Sequence, residues 1–141
     1  MALIRDTSGI FALYDADNRD HAATIAVVER EPGELLLPVV LLAEIDYMLH
    51  SRLGADSARD FLAAVERGEF VVVPFLHADV IRCSALLAHY RDMDIGLADA
   101  AVVATAERLG MARLLCLDER HFRAIKPRTF DHFVLLPADA A

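Results

Sequence analysis

The stretch Gly96-Leu-Ala-Asp-Ala-Ala-Val-Val-Ala-Thr-Ala-Glu-Arg-Leu-Gly110 predicts one helix around which the chain is organised. Glycine stands at both ends, and most residues between are strong helix formers. Nearly every position before Glu107 is apolar or small, so most of the helix circumference should be buried. Asp99 lies in the first turn, and a buried carboxylate needs an ion pair, a hydrogen bond or a metal ion. We therefore ask which residues or ions could bind the carboxylate of Asp99.

Short apolar runs alternate with helical stretches along the chain. We expect strands at 2–5, 35–38, 70–74, 113–117 and 133–136, and helices at 10–16, 19–30, 39–52, 55–67, 77–90 and 96–110. Thr7 or Ser8 is the expected N-cap of the first helix, and 118–122 is expected to be a loop or a short helical turn. Because the strands are continuous apolar runs, they indicate a mostly parallel sheet covered on both faces. We expect a single α/β domain over 1–141, with its core at about 1–137 and a short tail.

The charge balance argues against a simple electrostatic grip on nucleic acid. The chain has 141 residues and a net charge of −8, from 22 acids and 14 bases. A basic domain is the usual footprint of nucleic-acid binding. The segment 120–128 is an exception, and its basic residues are candidates for contact with RNA phosphates: Arg120, Arg123, Lys126 and Arg128. An ordinary solvated face explains these charges equally well.

Nothing in the sequence indicates a membrane or secreted protein. The longest apolar run, 35–43, is too short to cross a bilayer, and the amino terminus has no basic region followed by a long apolar segment. We therefore expect a cytoplasmic protein. Cys83 and Cys116 both lie among apolar residues, so buried free thiols are expected rather than a disulfide or a zinc site.

Four acids fall where a parallel α/β sheet would gather them. Asp6 and Asp118 follow strands, and Glu44 and Asp99 enter from helices with apolar surfaces. Ligands of open α/β sheets bind beyond the carboxyl ends of the strands. Two carboxylates about 4 Å apart repel by about 4 kcal/mol at an effective dielectric of about 20. The four acids therefore stay apart, or some are protonated, or a divalent cation such as Mg²⁺ or Mn²⁺ neutralises them.

Simpler interpretations exist for several of these acids. Asp6 could be a helix N-cap or a turn residue, and Asp118 could be a turn acid that pairs with Arg120 or Arg123. Asp46 competes with Glu44, since both interrupt the same apolar helix, and periodicity does not choose between them. Asp94 is expected to be a solvated loop acid and a candidate for supporting the site from outside the ligand set.

Other common active-site patterns are missing from the sequence. It contains no Gly-x-Ser-x-Gly elbow, no phosphate loop, no dinucleotide fingerprint and no zinc-binding histidine pair. The histidines are expected to be surface or capping residues.

Four short motifs in order resemble those of PIN domains, and specifically of the VapC toxins of bacterial toxin–antitoxin pairs. They are Asp6-Thr-Ser-Gly, Ala43-Glu-Ile-Asp-Tyr47, Gly96-Leu-Ala-Asp-Ala100 and Leu117-Asp-Glu-Arg-His-Phe122. The similarity extends over about 1–137. It implies a three-layer α/β/α sandwich with a mostly parallel central sheet of about five strands.

The resemblance also implies a site and an activity. It implies that Asp6, Glu44, Asp99 and Asp118 form an acidic metal site, and thereby favours Glu44 over Asp46. Ser8 matches a polar residue that often assists that site. Cys116 departs from the family pattern, in which Thr or Ser is common, and is a candidate for supporting the site from outside the ligand set.

The resemblance to that family implies that the chain is a Mg²⁺- or Mn²⁺-dependent ribonuclease. It also implies a homodimer, the usual state in the family, and neutralisation by a cognate VapB-type antitoxin. The main alternative is a non-catalytic interaction domain whose acids receive an arginine from a partner. A phosphoacceptor receiver domain is disfavoured, because Asp6 has no adjacent acid and no lysine follows a late strand.

Overall fold

A central five-stranded sheet organises the computed structural model, which describes residues 2–140. The strands are β1 (Leu3–Arg5), β2 (Leu35–Pro38), β3 (Val71–Val73), β4 (Arg113–Leu115) and β5 (Val134–Leu136). Their order across the sheet is β3-β2-β1-β4-β5, and all four pairings are parallel. The predicted parallel sheet of about five strands is therefore confirmed.

Helices fill the connections between these strands. They are α1 (Thr7–Tyr14), α2 (His21–Arg30), α3 (Leu42–Leu53), α4 (Ala55–Glu66), α5 (His77–His89), α6 (Leu97–Leu109) and α7 (Glu119–Ala124), with single 3-10 turns at Val39–Leu41 and Arg91–Met93. The first helix begins earlier than expected, so Asp6, rather than Thr7 or Ser8, occupies its N-cap position. The segment expected to be a loop or a short helical turn is helical, as α7.

Apolar side chains pack on both faces of the sheet, as the three-layer prediction requires. Successive strand residues point to opposite faces, and Leu3 and Ile4 belong to different apolar clusters. Val27 and Val28 of α2 pack against the cluster of Leu3. The larger cluster, which includes Ile4, takes residues from α3, α4, α5 and α6.

Helix α6 lies in this larger core, as its composition predicts. Its buried positions form a continuous run: Ala100, Ala101, Val102, Val103, Ala104, Thr105, Ala106 and Glu107. Cys83 and Cys116 are buried free thiols, as expected. Within the part of the chain that the structure describes, no helix is long and apolar enough to cross a membrane.

A single glycine allows α1 to approach β4 closely. A Cβ atom at Gly9 would lie 2.4 Å from the carbonyl oxygen of Leu115 and 2.8 Å from its Cγ atom. These distances leave no space for any side chain, so glycine is required at this position. The close approach brings the start of α1 to the end of β4, where two of the predicted site residues lie.

Candidate active site

Asp6 is buried at the end of the central strand β1. It is 5% exposed, and its carboxylate makes no capping hydrogen bond to α1 although the residue holds the N-cap position. The Ser8 hydroxyl instead donates to Oδ2 of Asp6 at 3.0 Å and accepts the Leu117 N–H at 2.9 Å. Ser8 therefore joins Asp6 to the segment that follows β4.

The surroundings of Asp6 favour its protonated form. Burial is the main reason that its pKa rises to about 6, and the negative charge of Asp99 adds to the effect. Hydrogen bonds from Ser8 and from the backbone of Thr7 lower the pKa, and Glu44 raises it further. Asp6, Glu44 and Asp99 are thus close enough for their charges to interact.

Glu44 reaches the same region from the first turn of α3. Its side chain is exposed, and its pKa is raised by partial desolvation and by the charge of Asp99. Asp46, two residues further along α3, is exposed and is not among the charges that act on Asp6 or Glu44. This geometry favours Glu44 as the member of the acidic group.

Asp99 has a partner that sequence reasoning missed. Oδ2 of Asp99 lies 2.7 Å from Nδ1 of His121 in α7, and the two side chains are 25% and 12% exposed. Asp99 is thus partly exposed, and the deeply buried acid of α6 is Glu107 at its other end. His121 lies within the motif 117–122, which was the available signal, but histidine was expected only at the surface or as a cap.

Asp118 stands at the edge of the acidic group. It holds the N-cap position of α7 without capping it, its side chain is 57% exposed, and Arg120 lies 3.6 Å away. The charges of Asp6, Glu119 and Asp118 all act on the buried thiol of Cys116. Burial also raises the pKa of Cys116, so this thiol is protonated at neutral pH and is a poor metal ligand.

The other predicted site residues, which are the basic residues of 120–128 and Asp94, differ in their contacts. Arg123 is paired with Glu119 and Asp139, whereas Lys126 and Arg128 border a separate cleft. Asp94 is exposed in a left-handed conformation, with φ 54°. Between residues 2 and 140, no hydrogen bond or ion pair joins Asp94 to the four acids.

The donor atoms of the acidic group suit a hard divalent cation. Asp6, Glu44 and Asp99 offer carboxylate oxygens, which Mg²⁺ and Mn²⁺ prefer. Burial is the main cause of the raised pKa values of Asp6 and Glu44, and a cation beside them would relieve the repulsion from Asp99 that adds to it. As the side chains stand, however, no three Asp, Glu, His or Cys residues of the described chain are placed to hold one ion together.

The chain is similar to known proteins in its sequence and in its fold. The PIN domain family model matches residues 3–126. Ribonuclease VapC26 of Mycobacterium tuberculosis is 32% identical over 135 residues, which cover 96% of this chain and 100% of that protein.

Two solved structures show the same fold. One is VapC20 of Mycobacterium tuberculosis, described as a Sarcin-Ricin loop cleaving toxin, with a TM-score of 0.76, 20% identity, and coverage of 82% of this chain and 89% of that one. The other is a toxin–antitoxin complex from Klebsiella pneumoniae, with a TM-score of 0.65, 18% identity, and coverage of 92% and 98%.

Proposed function

Because the chain belongs to the PIN-domain family, we propose that it is a metal-dependent endoribonuclease and the toxin of a toxin–antitoxin pair. The observation that carries the proposal is the electrostatic coupling of Asp6, Glu44 and Asp99 beyond the carboxyl end of a parallel sheet. Repulsion among these acids lowers the stability of the fold. A bound divalent cation would neutralise the repulsion and would promote phosphodiester hydrolysis. The resemblance to Ribonuclease VapC26 supports RNA as the substrate.

Asp6, Glu44 and Asp99 would hold a Mg²⁺ or Mn²⁺ ion, and Asp118 would complete the site directly or through water. When bound, the ion supplies an acidified water and stabilises negative charge on a phosphate. Burial keeps Asp6 in one place, and the Ser8 hydroxyl fixes the direction of its Oδ2 atom. His121 similarly restrains Asp99 through Oδ2. Phosphodiester hydrolysis needs ligands held in this way.

Exposed apolar side chains near the acidic group support the proposal that the chain binds protein partners as well as RNA. Large apolar side chains are exposed, and two of them, Tyr47 at 73% and Leu97 at 49%, lie close in sequence to Glu44 and Asp99. Exposed apolar patches commonly mark protein contacts. We propose a VapB-type antitoxin that covers the acidic site, and a homodimer, with the cytoplasm as the place of action because the RNA substrate is found there.

RNA cleavage by the purified chain tests the proposed function. We expect hydrolysis of single-stranded RNA in Mg²⁺ or Mn²⁺, no hydrolysis in excess EDTA, and recovery when the ion is restored. Glu44→Gln and Asp46→Asn form a matched pair on α3, each removing one exposed negative charge. Glu44→Gln should abolish cleavage, and Asp46→Asn should leave most of it. Absence of cleavage by the wild-type chain with either ion would favour the non-catalytic alternative.

A further inference from the structure

A cleft on the α5 side of the molecule is separate from the acidic group. It has a volume of about 450 Å³, and its walls come from the end of α5 and from the segment 126–128 after α7. Clefts of this size accommodate small organic groups. Its lining includes Arg82, His89, Tyr90, Lys126 and Arg128.

The charges around the cleft are unequal. Arg82 is neutralised by Glu107, which accepts from its Nε and Nη2 atoms at 2.7 and 3.0 Å. Lys126 and Arg128 are exposed, and neither side chain forms an ion pair among residues 2–140, although the charge of Arg128 acts on Glu107 from a greater distance. In a chain of net charge −8, two such neighbouring cations suit an anionic ligand.

The segment 126–128, which carries these two cations, is held in place by a backbone hydrogen bond at each end. The backbone N–H of Lys126 donates to the Tyr90 hydroxyl at 2.9 Å, and that of Arg128 donates to Oε2 of Glu107 at 2.7 Å. The Tyr90 ring is thereby tied in place, and the His89 ring packs against it edge to face, with centroids 4.6 Å apart. A restrained aromatic ring beside cations is typical of single-stranded nucleic-acid sites.

Both walls of the cleft belong to segments that are close in sequence to residues of the acidic group. Tyr90 is followed by one 3-10 turn and then by α6, whose first turn carries Asp99. On the other wall, α7 places His121 against Asp99 and then continues into Lys126. The cleft and one side of the acidic group are thus built from the same two segments of the chain, 89–99 and 121–128.

We propose that this cleft is a nucleotide subsite for single-stranded RNA, in which a base stacks on Tyr90 and the phosphates contact Lys126 and Arg128. The inference rests on the proposed function, because it assumes that RNA reaches the acidic group. A base enters such a cleft only when it is unstacked, so the subsite selects single strands or loops over duplex RNA. Arg123 has no part in it, because Glu119 and Asp139 already neutralise that side chain.

The test measures RNA binding without cleavage. An Asp99→Asn background is titrated with a fluorescein-labelled single-stranded RNA of mixed sequence, and the anisotropy is followed over a range of KCl concentrations. Removing both cations with Lys126→Gln and Arg128→Gln should weaken binding about tenfold or more. It should also reduce the slope of log K against log salt concentration by about 1.4, or about 0.7 for each lost phosphate contact.

A control with the same loss of charge is available at α4. Arg59 and Arg67 are exposed and pair with Asp56 and Glu69. Arg59→Gln with Arg67→Gln changes the net charge equally and should leave the salt slope unchanged. An equal fall in slope for both double variants would show a general charge effect and would overturn the proposed subsite.

Tyr90 is tested separately from the cations. Tyr90→Leu removes the stacking ring and should weaken RNA binding about tenfold, whereas Tyr90→Phe keeps the ring and should retain most of the affinity. Equal affinities for Tyr90→Leu and the parent would contradict stacking.

Competition with an acidic peptide distinguishes RNA from an acidic protein segment as the ligand of the cleft. Comparison of RNA binding with RNA cleavage distinguishes failure of this inference from failure of the proposed function. A polyglutamate peptide that displaces RNA at similar concentration would overturn the inference in favour of a protein partner. RNA cleavage by the wild-type chain with unchanged binding by the Lys126/Arg128 variant would overturn the subsite alone. Binding that follows the predicted variants without wild-type cleavage would overturn the proposed enzyme alone.

Discussion

Nδ1 of His121 lies 2.7 Å from Oδ2 of Asp99, and this contact ties α7 to the first turn of α6. The side chain of His121 is mostly buried, and that of Asp99 is partly exposed. The contact restrains the carboxylate that acts on both Asp6 and Glu44. His121 is therefore a positioning residue for the proposed metal site.

Replacing His121 should weaken metal binding without removing a ligand. We expect His121→Ala to reduce the affinity for Mn²⁺ about 10-fold or more, since groups that orient metal ligands have effects of this size. The Mn²⁺-induced rise in melting temperature, measured over a titration, reports the affinity. His50→Ala, at an exposed position of α3, is the control and should leave the titration unchanged. A normal Mn²⁺ titration for His121→Ala would exclude the positioning role.

Asp6 should make the fold less stable as the pH rises. Its pKa is about 6 in the folded protein against an ordinary value of 3.8, so folding favours the protonated carboxyl. The contribution of Asp6 to stability is complete below about pH 4 and is lost as the pH rises through about 6. By pH 7 the loss amounts to about 3 kcal/mol.

Asp6→Asn removes this titration and should therefore stabilise the chain at pH 7 by up to about 3 kcal/mol. Urea unfolding in EDTA at several pH values between 4 and 7 measures the effect. Asp17→Asn, an exposed loop acid, should retain the wild-type pH profile. A stability profile of Asp6→Asn that parallels the wild type would show that folding does not raise the pKa of Asp6.

Gly9 should tolerate no side chain. In Gly9→Ala the new Cβ atom would meet the Leu115 carbonyl at 2.4 Å, which forces α1 away from β4. We expect a loss of about 2–3 kcal/mol in the free energy of unfolding. Gly96→Ala is the matched control, because no atom lies within 4 Å of its Cβ position. Equal stabilities for the two variants would contradict the close approach of α1.

Arg5 is a buried cation that should reduce stability. It is 0% exposed, and its three guanidinium nitrogens have no hydrogen-bond partner among residues 2–140. Burial lowers its pKa to about 10, the charges of Tyr14 and Glu31 oppose this shift, and the guanidinium carbon lies 5.2 Å from the centroid of the Phe70 ring.

Arg5→Met should raise the free energy of unfolding by about 1–3 kcal/mol, because it removes the cost of burying a guanidinium group that has no hydrogen-bond partner. Arg52→Met serves as the control, since Arg52 lies 5.4 Å from the Phe11 ring but is exposed. Its effect should stay within about 0.5 kcal/mol. A destabilised Arg5→Met variant would show that the guanidinium is satisfied in solution.

The sheet was predictable because its signal is local. Continuous apolar runs separated by helices indicate parallel strands wherever they pack, and the runs around Leu36 and Leu114 are buried strands as expected. The composition of α6 likewise indicates a buried helix. The position of Asp6 followed from the same pattern, since an acid directly after a buried strand lies at the sheet edge.

Contacts between distant segments were not predictable from local pattern. The pairs Arg82–Glu107 and Asp79–Arg108 bury acids between α5 and α6, and each joins residues 25 or more positions apart. The partner of Asp99 lies 22 positions away. Such pairs depend on how two helices pack, which neither hydrophobic periodicity nor charge spacing specifies.

The most direct test of the central claim is the rate of RNA cleavage by Asp99→Asn in Mn²⁺, compared with Asp92→Asn. Asp92 is an exposed acid in the turn before α6, so both variants lose one negative charge in neighbouring segments. We predict that Asp99→Asn keeps its fold and loses at least about a hundredfold in rate, whereas Asp92→Asn cleaves nearly as fast as the wild type. A folded Asp99→Asn variant with a rate near that of the wild type would contradict the proposed metal site.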